Sequence, residues 1–567
     1  MKTYKKIIFS ASVLVMGTMA SCDKKEFSEI NVDPDALTDV PPENQFANGS
    51  RGIMGQDFEA FYDYYRRIMP WMQYATDLRG NLGNFTTNID NFSNRYGTLY
   101  NAGAQLNDVE KLVEKMSTSE QARFVHMIRI ARIMKAYYAF YVSDIYGSIA
   151  YSDAFKARYG GTLTPKYDTQ QELFAMLDTE IKEAVGVLKQ TQTAPQVGLG
   201  ATYDLFYAGA ADKWVKAGNA LRLKIAIRQL KSDQAKATAI INEVIAMGAA
   251  DLMSSNDDGW VFKANVAFTN GGNWNPENLK ASKPIVDFMW DNADPRLDAF
   301  VAPNGYSKTN IDLLVADKQL PAGTAVPARR YLGSYTSPDQ ASSAAIRARY
   351  YTTKTVKSGD NNIVVDTLSY VQRRLFQPYY PDASGVNGTG FSILPVITYS
   401  EYCFMRAEVA ARGIGAADAK AWYEKAVVSS INWYDKVAAD SKLTDYTAVT
   451  QAEIDAYLLK PAVAYNPAKG LEQISSQAYL HFMKQPAEGW ATWKRTGFPN
   501  ATSVLALPVL TNNNAVLTIP RRAPLSLLNE SDQNYANKKA AYDAMAQIPG
   551  FGSNPQDATG RVWWDKP

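Results

Sequence analysis

Cysteine and histidine are scarce in this chain, two of each in 567 residues. Two cysteines cannot build a disulfide framework, and with two histidines they do not supply the ligand clusters of transition-metal centres. Charge of one sign is also lacking. The 59 Lys and Arg face 57 Asp and Glu, a formal balance of +2, which is not the basic stripe of a nucleic-acid binder. Beyond the amino terminus, no stretch approaches 18 consecutive apolar residues, so none is long enough to span a bilayer as a helix. The Gly-rich phosphate loop, the His-Glu-x-x-His pair and the Gly-x-Ser-x-Gly elbow are missing. A Ser-His-Asp triad would have to recruit His126 or His481, both of which read as structural. Asn256-Asp257-Asp258-Gly259 lacks the twelve-residue calcium pattern and reads as a turn. These absences predict no enzyme, cofactor or metal. Paired carboxylates remain open, because separation in space defines glycosidase chemistry.

What is present in excess is aromatic: 34 Tyr, 22 Phe and 11 Trp, against a background 46% hydrophobic that rules out disorder. The amino terminus is an export signal. Lys2, Lys5 and Lys6 precede a short apolar run from Ile7 to Met16. Met19-Ala20-Ser21-Cys22 resembles the lipobox of bacterial lipoproteins, in which the cysteine is acylated and becomes the first residue. Residues 1–21 then form the signal peptide, residues 22–45 a charged, Pro-rich tether, and residues 46–567 the folded body. No Pro/Gly/Ser-rich linker or charge run divides that body, which predicts one intertwined domain. From Cys22 onward 56 basic groups face 57 acidic ones, so the positive balance belongs to the export signal.

The body reads mostly helical. Gln56–Met69 places Phe58, Phe61, Tyr62, Tyr65 and Met69 at helical spacing, ending before Pro70. Ser117 with Glu120 opens a helix to about Tyr146, and Thr169 with Glu172 opens another through Leu188. Residues 212–230 and 234–247 form a pair, as do 399–412, opened by Thr398 with Glu401, and 416–434. Cys403 falls in the apolar register of its helix and reads as a small buried hydrophobe. Between these blocks, Arg347–Val356 and Ile363–Gln372 flank Ser358–Asn362 as a hairpin.

Aromatic rings suit the apolar C–H faces of sugars, with amide and guanidinium groups serving the hydroxyls between them. Trp71, Tyr74 and Phe85 flank or enter Gly80–Asn94, where seven of fifteen residues are Asn or Gly. Arg79 and Asn81 supply hydrogen-bonding groups there. Trp274, within Asn270-Gly-Gly-Asn-Trp-Asn275, and Tyr306, after Pro303-Asn-Gly305, are further candidates. An aromatic cluster bracing the loops is the competing reading. Trp214, Trp422, Trp433, Trp490 and Trp493 read as packing residues.

Several segments occur in an order that resembles the SusD/RagB family, lipoproteins of Bacteroidetes that bind nutrients beside an outer-membrane transporter. They include Arg132-Ile-Met-Lys-Ala-Tyr-Tyr-Ala-Phe-Tyr-Val-Ser-Asp-Ile-Tyr-Gly147, Trp214–Leu223, Asp294-Pro-Arg-Leu297 and Leu394–Glu408. Gly489–Pro499, Ile519-Pro-Arg-Arg522 and Val562-Trp-Trp-Asp565 complete the set. Asn31-Val-Asp-Pro34 resembles the mature start of the SusD-like branch, and Trp493-Lys494-Arg495 departs from members with two arginines. The resemblance implies a mostly α-helical single domain with tetratricopeptide-like helix pairs, short β-hairpins and a loop-rich ligand face. It implies a cell-surface protein anchored in the outer membrane through Cys22. That protein would bind oligo- or polysaccharide and deliver it, as a lid, to a SusC-like TonB-dependent transporter. Two alternatives accompany this reading: peptide uptake on the same architecture, and a surface glycoside hydrolase.

Overall fold

The computed structural model describes residues 40–54, 57–76, 92–276, 279–382, 385–444 and 446–567. The principal helices are α1 (Pro42–Gly52), α2 (Ser93–Val113), α3 (Val125–Tyr146), α4 (Gln170–Leu188), α5 (Ala211–Arg228) and α6 (Gln234–Ile245). After an irregular middle come α7 (Tyr399–Ala411), α8 (Ala419–Asp440), α9 (Gly470–His481), α10 (Pro486–Thr496) and α11 (Tyr535–Ala546). Successive helices pack as antiparallel neighbours: α3 on α4, α5 on α6, α7 on α8. The strands are short antiparallel pairs. β1 (Trp260–Ala264) pairs with β4 (Ser392–Ile397), and β2 (Thr353–Ser358) with β3 (Asn361–Asp366). One apolar cluster runs from Phe46 to Trp564. The chain is mostly α, as the periodicity predicts.

Local chemistry explains the element boundaries. Thr169 and Glu172 form the expected reciprocal cap, and Leu173, Phe174, Leu177, Ile181, Val185 and Leu188 all face the core. The cap at Ser117 is also present, but it opens a single turn, Thr118–Gln121, before the chain breaks and resumes at Val125. Gln196 fills the break: its amide donates to Ala122 O at 2.8 Å and its carbonyl accepts from His126 N at 2.9 Å. At α7, Thr398 caps Glu401 N at 3.0 Å, whereas the Glu401 carboxylate turns inward to Lys224. The hairpin forms around Gly359 and Asp360, with Gly359 at φ +60°, but Arg347 itself lies in a helical turn, Ala344–Tyr350. The segment expected to end before Pro70 is instead a π-helix, Glu59–Ile68, that continues through Pro70 to Trp71. The wider turn relieves the clash of the proline ring with the preceding turn. It also rotates the expected stripe: Tyr65 and Met69 are buried, while Phe58 is 47% exposed and stacks on Tyr62.

The segments that stood out in the sequence converge on buried charges. Lys224 of α5 lies 2.9 Å from Glu401 of α7 and 2.8 Å from Glu488 of α10. One turn on, Arg228 reaches Glu488 at 2.6 Å and Asp144 of α3 at 3.2 Å. Arg495 pairs with Glu408, and Arg521 with Asp565 at 2.5 Å. Lys494 Nζ sits 4.1 Å from the Trp490 ring and 4.6 Å from that of Trp564. Burial alone would raise the Glu488 carboxyl, but Lys224 and Arg228 together hold it well below its usual range. Burial raises Glu401 despite Lys224. Removing one partner of a buried pair strands the other charge and costs about 3–5 kcal/mol. Lys224→Met is therefore expected to lower the urea unfolding free energy by about that much; a loss below about 1 kcal/mol would show that the network adds little.

His481 is structural, as expected. It is buried between Thr398 Oγ1 at 2.7 Å and Ser430 Oγ at 3.0 Å, and Cys403 is buried in α7. Burial, aided by the nearby Arg296, lowers the imidazole from its ordinary 6.5 to about 3. A buried neutral histidine must be charged to unfold in acid, so its contribution is full above 6.5 and is lost as pH falls toward 3. The unfolding midpoint of the native chain should fall across that window, and His481→Gln should flatten the slope. An unchanged slope in the variant would assign the acid sensitivity elsewhere.

Candidate functional site

The irregular middle builds a cleft of about 850 Å³. Its back is an extended run, residues 279–283. Ala281 N donates to Ser369 O at 3.0 Å, Val371 N to Leu279 O at 3.0 Å, and Ser334 N to Ala281 O at 2.8 Å. These bonds put Lys280 opposite Tyr370. Lys280 Nζ lies 3.6 Å from the Tyr370 ring centre and 2.5 Å from Asp366 Oδ2, which also accepts from the Tyr370 hydroxyl. Arg373 lies over Tyr380 at 4.5 Å and donates to its hydroxyl. Tyr351 closes the other wall, its hydroxyl 2.6 Å from Ser334 Oγ and accepting from Tyr335 N at 3.2 Å. Arg374 ties down the rim: it donates to Tyr380 O at 2.9 Å, Val386 O at 2.8 Å and Thr444 Oγ1 at 3.0 Å.

The result is three half-exposed tyrosine rings: Tyr370 is held from behind by Lys280 and Asp366, Tyr380 by Arg373 and Arg374, and Tyr351 by Ser334. Burial pulls the Lys280 ammonium down against the opposing pull of Asp366. Burial and Asp366 both push the Tyr370 hydroxyl up, so it remains a protonated donor. Such a surface can stack an apolar ligand face and hydrogen-bond its edge. Among the described residues there is no cluster of His, Cys, Asp and Glu able to hold a metal ion.

The residues singled out from the sequence scatter around this cleft. Tyr74 is corrected to a core role. Its ring stacks on Tyr479 at 4.2 Å, its hydroxyl donates to Tyr479 O at 2.8 Å, and only a glycine fits against it at position 489. Trp71 is 4% exposed, beside Met72, Phe92 and Trp490. Trp274 is also buried rather than presented to solvent. It packs on Phe268, its carbonyl accepts from Tyr65, and it lines a gap of about 70 Å³ with Glu59, Tyr64 and Tyr141. The Gly/Asn loop around it is pinned where Asp57 accepts from Asn273 N at 2.9 Å. Tyr306 is half-buried on Leu314, Val356 and Val365, one residue beyond Gly305, whose N–H donates to Asp366 O at 3.1 Å. Arg79, Asn81, Phe85 and Cys22 lie outside the described residues. Thr76, the last described residue before the first three, donates its N–H to Lys280 O at 3.0 Å.

Sequence reading missed Lys280, Tyr351, Tyr370, Arg373 and Tyr380. One signal was available: Tyr370-Val-Gln-Arg-Arg-Leu-Phe-Gln-Pro-Tyr-Tyr380 mixes rings and guanidinium groups with no helical period to place them in a core. Among scaffold tryptophans, Trp214, Trp433 and Trp490 are buried and Trp422 and Trp493 half-buried, as packing residues should be.

Comparison with known proteins places this architecture. Residues 34–524 match the model of a SusD-like family described as starch-binding and associating with the outer membrane. Among solved structures, the chain is similar to a chitin-binding protein at 23% identity and a TM-score of 0.67, over 93% of this chain and 100% of that one. It is similar to a SusD homologue from Bacteroides fragilis at 20% identity and a TM-score of 0.66, with the same coverage. A SusD-like protein of Bacteroidetes aligns at 20% identity and a TM-score of 0.64, also over 93% and 100% of the two chains. At these identities the structural likeness establishes the fold. A comparison with curated proteins gives no match. The family match across most of the chain and the shared helical architecture agree, and the chain belongs to the SusD-like family of outer-membrane-associated binding proteins.

Proposed function

We propose that the chain binds an oligo- or polysaccharide in the cleft formed by Tyr351, Tyr370 and Tyr380, and delivers it as a lid to a SusC-like TonB-dependent transporter. The observation that carries the reading is the cleft itself: three half-exposed rings, Tyr370 fixed by Lys280 and Asp366, Tyr380 by Arg373 and Tyr351 by Ser334, in about 850 Å³. The family description of starch binding and the likeness to a chitin-binding protein support the glycan class. Arg79, Asn81 and Phe85 stay candidate ligand contacts in the proposal, on the aromatic and hydrogen-bonding chemistry of their Asn/Gly-rich segment. Recognition is non-covalent. The aromatic faces stack on sugar C–H surfaces, and the transporter supplies the energy for uptake.

The reading is tested by titrating the purified protein with a panel of polysaccharides and with peptide digests. Tyr370→Ala is expected to weaken the best glycan by about 2 kcal/mol, or roughly thirtyfold. Undiminished glycan binding by that variant would move the site, and binding of peptides alone would change the ligand class.

The anchoring proposal rests on Met19-Ala20-Ser21-Cys22 and on the finding that no helix among the described residues is long and apolar enough to cross a membrane. Two or three acyl chains would hold the protein persistently, whereas a single chain holds only marginally. Cys22→Ala should shift the protein from the outer-membrane fraction to the soluble fraction. Retention of the variant in the membrane would point to a different attachment.

A further inference from the structure

A second cleft, about 410 Å³, opens within the helical scaffold, in the size range of small-molecule sites. Its walls come from the start of α2, the end of α3, the segment before α4 and the carboxyl-terminal region with α11. Tyr96, Tyr146, Tyr167 and Tyr542 supply the rings, with Tyr96 and Tyr146 5.0 Å apart and tilted by 55°. The hydroxyls of this cleft differ from those of the larger one. Tyr100 donates to Tyr96 at 3.3 Å and Tyr96 to Tyr167 at 3.4 Å, both long contacts. The Tyr146 hydroxyl, the Ser148 hydroxyl and the Gln556 side-chain amide have no hydrogen-bond partner among the described residues. Burial raises the Tyr96, Tyr146 and Tyr167 hydroxyls, so all three stay protonated donors. The one ionisable side chain on the walls other than tyrosine, among the described residues, is Lys538, and it already faces Asp532 at 3.6 Å.

Rings on several sides, unengaged hydroxyl and amide groups between them, and no uncompensated charge define a complement for an uncharged polyhydroxylated ligand. We infer that the cleft of Tyr96, Tyr146, Tyr167 and Tyr542 is a second binding site for a neutral glycan, separate from the Tyr370 cleft. This inference rests on the glycan reading of the protein's function. A chain with two such sites holds a long polysaccharide at two points, which raises the local concentration of one segment at one site while the other is occupied.

The test is isothermal titration of the full mature protein with maltoheptaose and chitohexaose, using the native chain, Tyr370→Ala, Tyr167→Ala and Tyr146→Phe. The last variant keeps the ring and removes only the hydroxyl. The expected result is two sites in the native chain, of which Tyr370→Ala abolishes one and Tyr167→Ala the other. Tyr146→Phe should weaken the second site about five- to tenfold, the worth of one hydrogen bond. One site lost in Tyr370→Ala and untouched by Tyr167→Ala and Tyr146→Phe would overturn the second cleft and leave the functional proposal standing. One site sensitive to Tyr167→Ala alone would support the second cleft and overturn the first. Binding of neither sugar by the native chain would overturn both.

Discussion

The pairing of Lys224 and Arg228 with Glu401, Glu488 and Asp144 is the constraint on which the scaffold depends. These five charges come from α3, α5, α7 and α10, whose positions in the chain are separated by up to several hundred residues. A buried charge without its partner is far more costly than a gap between apolar side chains. The helices therefore cannot slide against one another by one turn, which an apolar interface would tolerate at lower cost. Arg521 with Asp565 extends the same logic to the carboxyl terminus, and the Lys494 ammonium between Trp490 and Trp564 closes it. A lysine there in place of a second arginine is accommodated because a compact ammonium fits between two ring faces.

That rigid half allows the other half to be irregular. Residues 279–283, 331–335 and 368–371 form no regular sheet with one another, yet their backbone groups are paired strand to strand. The side chains of Lys280 and Tyr370 thus project from a framework held by hydrogen bonds rather than by periodic packing, and Tyr351 is tied to it through Ser334. Gly333 lets the backbones approach this closely, since a Cβ there would meet Lys283 Cα at 2.4 Å. Orientation of the rings is settled before any ligand arrives, which removes part of the ordering cost of binding.

The scaffold was legible in the sequence because it obeys local rules. Capping pairs, the 3.6-residue period and the loose motifs at Trp214, Glu408 and Trp564 all report on neighbours near in sequence. The break between Gln121 and Val125 was not legible, because Gln196, which stabilises it, lies some seventy residues away. The π-helix was hidden for a related reason: its apolar spacing mimics an α-helix until Pro70 is threaded through it. The site was less legible still. Tyr74 sits in a Trp/Tyr/Arg/Asn neighbourhood of the kind a sugar site needs, but Gly489 and Tyr479, four hundred positions on, claim its ring. Cleft residues such as Lys280 and Tyr370 carry no pattern of their own, and only the pairing of extended segments far apart in the chain brings them together.

The tyrosine excess that dominates the composition then divides by what each hydroxyl does. In the scaffold it commonly caps a backbone carbonyl: Tyr65 on Trp274, Tyr74 on Tyr479, Tyr423 on Val463 and Tyr434 on His481. Each of these ties a carbonyl near a helix end or loop to a ring already in the core, and a phenylalanine would remove that hydrogen bond. In the two clefts most of the hydroxyls instead meet side chains or nothing at all, as with Tyr370 on Asp366, Tyr380 on Arg373 and the unpartnered Tyr146, although Tyr542 still donates to Ser526 O. A hydroxyl held by a backbone carbonyl cannot turn to a ligand without breaking the fold, whereas one held by a side chain can exchange partners. The chemistry that makes tyrosine useful for sugars is therefore available only where the backbone has not already claimed it.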